Sequence, residues 1–223
     1  MNPSARTRPW AFALALCLLA AGAAPAATLQ VTVLARDGQP LSDAVVILEP
    51  MDSVSRPKAP TPVDAVIAQQ KMQFVPALSL VPAGSRITFT NLDRWEHHVR
   101  GLPAGLAALA GTATGGFELR LGGKAEGKAA ESSTLTLDRP GPMQLGCHLH
   151  GSMRGSIYVT DTPWAVKTNA QGVATLPDVP EGAARLRVWH ADQLLDAVPT
   201  AITVTPVTAV SLETRIQPRR RRS

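Results

Sequence analysis

The chain has 223 residues, room for one large domain or two small ones, with a formal net charge of +5. Hydrophobic residues make up 45% and charged residues 17%, which excludes a disordered chain, and 19 prolines favour strands and turns over a helical bundle. Two cysteines and five histidines exclude a disulfide scaffold, a zinc-finger array and a cluster of several metals, and leave material for one metal centre.

Residues 1–27 read as a cleaved export signal. Arg6 and Arg8 form a positive start, residues 10–21 are an apolar run too short to span a bilayer, and Ala24-Pro25-Ala26 or Pro25-Ala26-Ala27 marks the cut. The expected compartment is the periplasm, with no membrane span in the mature chain. Cys17 leaves with the signal, so Cys147 is the only thiol of an exported protein and has no partner for an internal disulfide. A bound metal would protect it. Residues 219–222 are four arginines in a basic tail, 215–223. Without the signal and those arginines, basic residues number one fewer than acidic ones, so no basic face for nucleic acid is expected.

Residues 29–34 alternate as a strand, Asp37-Gly38-Gln39-Pro40 is a turn, and residues 44–48 form a second strand. Four prolines within 50–63 mark a linker, placed at 51–64. Strands are expected at 65–68, 74–80, 85–90, 117–121, 134–137, 143–147 and 156–160, with 101–116 open between a short helix and a loop. After Pro163 come strands at 164–167, 174–176, 185–190, 201–204 and 209–213. Many short strands at regular spacing point to an all-β protein of sandwiches or barrels.

The chemistry concentrates at Cys147-x-x-His150-x-x-Met153, on a tight loop leaving a strand. Fifty residues upstream, the segment from Asn91 through His97 and His98 also leaves a strand end, so the two loops can meet at one pole of a sandwich. Cys-x-x-His alone would leave zinc open, but methionine is not a usual zinc ligand. A thiolate, two imidazoles and a thioether are the donor set of a blue-copper centre. His148 points away from Cys147 by strand alternation, and His190, beside Trp189, is expected to pack.

The run Cys147-x-x-His150-x-x-Met153-Arg154-Gly155 resembles the amicyanin-type copper loop of the cupredoxins, and residues 74–99 resemble the cupredoxin pattern of Phe-x-Pro, strand, glycine turn, strand, Asn and His six residues on. Residues 65–162 look like the plastocyanin-like proteins labelled methylamine utilization proteins. The resemblance implies an eight-stranded Greek-key sandwich and one copper per chain on His97, Cys147, His150 and Met153. Cupredoxins often carry Asn after the first histidine, tying the two loops together; His98 stands there and is expected to make the same tie, just outside the ligands, with Asn91. Residues 28–50 and 163–214 resemble the two parts of a carboxypeptidase-regulatory-like, Ig-type or transthyretin-like sandwich. The cupredoxin sandwich is then inserted in, or packed with, this second one.

These expectations give an exported, monomeric one-electron carrier with transient redox partners. His150 is the electron port, and Leu102, Pro142, Leu149 and Met153 are the apolar patch around it. The alternatives are copper delivery without a redox partner and an Ig-type module with a vestigial copper site. An enzyme is not expected, because a trinuclear cluster needs several His-x-His pairs and the chain has only His148/His150.

Overall fold

The computed structural model describes residues 26–51, 58–105, 115–193 and 195–219. The signal segment up to residue 25 with Cys17, part of the 51–64 linker, residues 106–114 of the open stretch and residues 220–223 of the tail lie outside them. Among the described residues every regular element is a strand: β1 Ala26–Leu34, β2 Val45–Pro50, β3 Asp64–Gln70, β4 Gln73–Val75, β5 Leu78–Pro82, β6 Ser85–Asn91, β7 His97–Pro103, β8 Phe117–Leu121, β9 Ser132–Leu137, β10 Gly141–Cys147, β11 Arg154–Thr160, β12 Ala165–Lys167, β13 Val173–Pro180, β14 Gly182–Trp189, β15 Thr200–Val204 and β16 Val207–Glu213.

The fold is all-β, one β-sandwich packed with a second. In the first sandwich the sheet β4-β3-β6-β9 faces the sheet β5-β11-β10-β7-β8. Parallel pairs β3/β6 and β5/β11 place sequence-distant strands side by side. Inward residues Ile67, Phe89, Val99, Leu121 and Ile157 from both sheets close the core. Nine strands stand where the sequence places seven and the resemblance implies eight. The reason lies at Pro76-Ala77: residues 74–80 are not one strand, because the chain leaves the first sheet after Val75 and joins the second at Leu78. β7 is a further addition. Its Arg100, Gly101 and Pro103 obscure an alternation that buries His97, Val99 and Gly101.

The second sandwich pairs β13-β1-β16 with β12-β2-β14-β15. Its strands come from both sides of the first in sequence, and β1 runs parallel to β16. Leu29, Val31, Val46, Leu48, Leu176 and Leu186 fill its core. Ala27 is buried in this core and pairs with Val179.

β2 explains how the sandwiches join. Its unbroken apolar run is buried on both faces. Val46 and Leu48 face their own core, while Val45 and Ile47 meet Leu78, Leu80, Tyr158 and Trp189. The Tyr158 and Trp189 rings lie 5.4 Å apart, and Lys167 Nζ donates to the Leu78 carbonyl at 3.0 Å.

Candidate metal centre

One pole of the first sandwich gathers the end of β6, the start of β7, the end of β10 and the start of β11. β7 and β10 are antiparallel neighbours with Cys147 opposite Val99. The pleat turns His97 and Cys147 inward and His98 outward. The His148 N–H donates to the His98 carbonyl at 3.0 Å, so the tie between the loops runs through the backbone of His98 and not through its ring.

The 91–97 loop is fixed from within. Asn91 is fully buried, and its Nδ2 donates to the carbonyls of Trp95, Leu121 and Gly122 at 2.8, 3.1 and 3.0 Å. Its Oδ1 accepts from the Asp93 N–H at 2.9 Å. Asp93 then takes the N–H groups of Lys71 and Met72 at 2.6 and 2.9 Å. Those two residues hold φ of 53° and 57°, a left-handed turn made without glycine, and the carboxylate secures it. Across the loop, a Cβ at Gly123 would run into the Arg94 carbonyl, so only glycine permits that approach.

The remaining bond of Asp93 reaches the site. Its Oδ2 lies 2.9 Å from His97 Nε2. Burial pushes this carboxyl up, but the Met72 N–H, the His97 ring and the Lys71 N–H together outweigh it and hold the group below the usual carboxylate range. A carboxylate at Nε2 places the ring proton there and leaves the Nδ1 lone pair free. His97 Nδ1 is 3.7 Å from Cys147 Sγ, and His150 Nδ1 is 3.6 Å from the same sulfur. The two rings meet edge to face at 4.9 Å. All three donor atoms lie within 4.8 Å of one another.

This set fits a metal ion. Two donors at about 2.0–2.3 Å from one centre stand roughly 3.6 Å apart at trigonal or tetrahedral angles, as nitrogen and sulfur do here. One thiol and two imidazoles form a soft-to-borderline set. Met153 is 1% exposed and packs into the core beneath the loop, whose turn is closed by its N–H donating to the His150 carbonyl at 2.9 Å. His97 is fully buried and Cys147 is buried, while the His150 ring is half-buried and reaches the surface.

Around His150 the apolar surface differs from the expected patch. Leu102 stands opposite Gln144 and Pro142 opposite Tyr158, roughly 10 and 16 Å down the strands from Cys147. They belong to the other end of the sheet because strand rise separates them from the loop that carries His150. Leu149 does lie at the pole and is exposed, as is Trp95 on the facing loop. On the outer face, His98 and His148 both turn to Glu118, whose carboxyl is held below the usual carboxylate range by hydrogen bonding to the His148 ring, with the His98 ring adding to it. His190 is buried in the second sandwich, where its Nδ1 accepts from the Asp192 N–H at 3.1 Å. Asp93, Trp95 and Glu118 received no role in the sequence reading. The Asp93-x-x-x-His97 spacing is the one signal that could have found the first.

No family model matches the chain, and no curated protein matches it. Solved structures do. A mutant amicyanin in its reduced state is 24% identical over 44% of this chain and 82% of its own, with a TM-score of 0.31. A purple cupredoxin from Nitrosopumilus maritimus is 18% identical over 44% of this chain and 100% of its own, with a TM-score of 0.33. A copper-containing nitrite reductase from Thermus scotoductus SA-01 is 20% identical over 50% of this chain but only 25% of its own, with a TM-score of 0.34.

Proposed function

We propose that the protein is an exported, mononuclear type 1 copper protein that carries single electrons between redox partners in the periplasm. The observation that carries this reading is the Cys147 sulfur set 3.7 and 3.6 Å from the Nδ1 atoms of His97 and His150. His97, Cys147, His150 and Met153 would hold one copper per chain. Bound there, copper would supply a one-electron couple, with thiolate and thioether favouring Cu(I) and imidazoles favouring Cu(II).

The residues around the set do the rest. Asp93 orients the His97 ring. Asn91 and Asp93 brace the loop, so the donors keep their places when charge changes. Three of the four donors are buried, which shields the ion from a competing acceptor and favours a carrier over a delivery protein. His150 alone offers a ring edge to a partner, with Leu149 and Trp95 as apolar contact surface for a small, transient interface. Among the described residues no helix is long and apolar enough to cross a membrane. The reading includes a monomer without catalytic activity, a leader removed before residue 28, a cupredoxin unit over 65–162, a split Ig-like unit over 28–50 and 163–214, and a basic tail.

The test is addition of Cu(II) to the purified mature protein. The expected result is an intense visible thiolate-to-Cu(II) charge-transfer band at one copper per chain, absent in Cys147→Ser, with a reversible one-electron couple. Met153→Gln should keep the colour and lower the potential. A colourless protein that holds zinc in preference to copper would end the proposal.

A further inference from the structure

On the outer face of the same strands a second set of donors converges. His98 on β7, His148 just past β10 and Glu118 on β8 place one donor atom each within 4.8 Å of the others. His98 Nε2 lies 3.4 Å from Glu118 Oε2, and His148 Nε2 lies 3.3 Å from Glu118 Oε1. The two imidazole rings are 4.6 Å apart and tilted by 41°. The backbone holds them there: the His148 N–H bonds the His98 carbonyl, and β7 pairs with β8. In that ladder the direct partner of Glu118 is Arg100, yet the carboxylate turns to the two rings.

We propose that His98, Glu118 and His148 form a second metal site, which takes a borderline divalent first-row cation of the zinc class. Two imidazoles and a carboxylate suit Zn²⁺ or Cu²⁺, and the absence of sulfur removes any preference for Cu(I). Donors about 2.0–2.1 Å from a tetrahedral ion stand roughly 3.3–3.4 Å apart, the spacing of His148 Nε2 from Glu118 Oε1, while His98 Nε2 comes as near to the second oxygen, Oε2. The side chains of His98, His148 and Glu118 are 18%, 39% and 56% exposed. The cluster is therefore anchored at His98 and open to water at Glu118, so solvent can complete the coordination and the ion can exchange. The same pleat that turns His97 and Cys147 inward turns their neighbours His98 and His148 out, which gives two sites back to back across the sheet.

The test is equilibrium dialysis of the tag-free full chain against micromolar zinc, compared with a Glu118→Gln/His148→Gln variant and with His148→Gln alone. Both positions are exposed, so the fold is expected to survive, and an unchanged far-ultraviolet circular dichroism spectrum verifies it. Wild type should hold one zinc per chain more than the double variant. The single variant should bind that zinc at least about 10–100-fold more weakly, the loss seen when even an indirect supporter of a ligand is removed. An equal zinc count in wild type and double variant would overturn the second site. Because the inner donors are intact in every arm, failure of the inner site changes all counts alike and leaves the difference unaffected.

Discussion

The two sandwiches solve the same packing problem and finish it differently. The core of the second is apolar throughout, from Leu29 and Val31 to Leu176 and Leu186, and its buried polar neighbours Thr168 and His190 sit just past the ends of β12 and β14. The core of the first is equally apolar at Ile67, Ile87 and Ile157, but at one pole it gives way to buried Asn91, Asp93, His97 and Cys147. Gln69, opposite Asn91 in the β3/β6 ladder, is also fully buried there, with neither amide atom bonded to a partner. Burying such groups is unfavourable unless they are paired, and an unpaired one costs about 1–3 kcal/mol. Among the described residues the second sandwich buries no comparable cluster of polar side chains. The polar pole is therefore a feature of the site, and its paired groups brace the loop that carries His97.

The largest effect separates the two cores. Leu48→Ala should destabilise the second sandwich, and Ile157→Ala the first, by about 2–5 kcal/mol each. If the sandwiches fold as distinct units, calorimetry resolves two transitions. Leu48→Ala then lowers one of them and leaves the copper charge-transfer band of the other sandwich intact. A single transition, with the band lost in both variants, would show that the shared contacts of Leu78, Tyr158 and Trp189 fuse them into one cooperative body.

Next come matched polar deletions. Asn91→Ala strips the carbonyls of Trp95, Leu121 and Gly122 of their donor and should cost about 1–3 kcal/mol. It should also shift the charge-transfer band, because the loop that positions His97 loses its brace. In the second sandwich, Thr168 Oγ1 donates to the Leu41 carbonyl and accepts from the Ala44 N–H. Thr168→Val should cost a similar amount in stability and leave the band unmoved. An unshifted band in Asn91→Ala would remove the positioning role.

Asp93→Asn is subtler. The amide can still meet His97 but carries no charge, so the ring becomes a weaker donor, and the loss costs Cu(II) more than Cu(I). The potential should rise, by roughly 60 mV for each tenfold loss of Cu(II) affinity over Cu(I). Voltammetry of the copper-loaded variant measures it, and a lowered potential would contradict the assigned role.

Much of this contrast is legible in residue order, and what is hidden follows a rule. Cys147, His150 and Met153 sit in one short loop, so their spacing alone carries the chemistry. A strand such as 85–90 reads directly because polar and apolar residues alternate on one covered face. β7 does not, because glycine and proline occupy inward positions where apolar residues would announce it, and Leu102 stands outward. Phe74 through Leu80 reads as one strand because propensity is blind to a switch between sheets at Pro76-Ala77. The displacement of Leu102 and Pro142 from the site is invisible for another reason: only the register of β7 on β10 fixes how far along the sheet each residue falls. Glu118 joins His98 and His148 only through β7/β8 pairing across a separation that no local pattern spans.

The smallest effect probes the seam between the sandwiches. Tyr158 lies against Trp189, and burial raises its phenol above the ordinary value of 10.0; Arg187 works against that shift, while Asp161 and Glu49 add to it. The folded protein therefore holds the phenol proton more tightly than the unfolded chain does. Its contribution to stability is complete below pH 10.0 and declines as pH rises through the higher folded value. Tyr158→Phe keeps the ring contact and removes the proton. Wild type should therefore lose thermal stability relative to Tyr158→Phe as the pH climbs from 10.0 through the higher folded value, while the two track each other near neutrality. Other groups that titrate at high pH are common to both proteins and cancel in the difference. Tyr158 is the only tyrosine in the chain, so phenolate absorbance reports it alone. A phenol that titrates at its ordinary value, with no change in the stability gap, would place Tyr158 in water and open the seam.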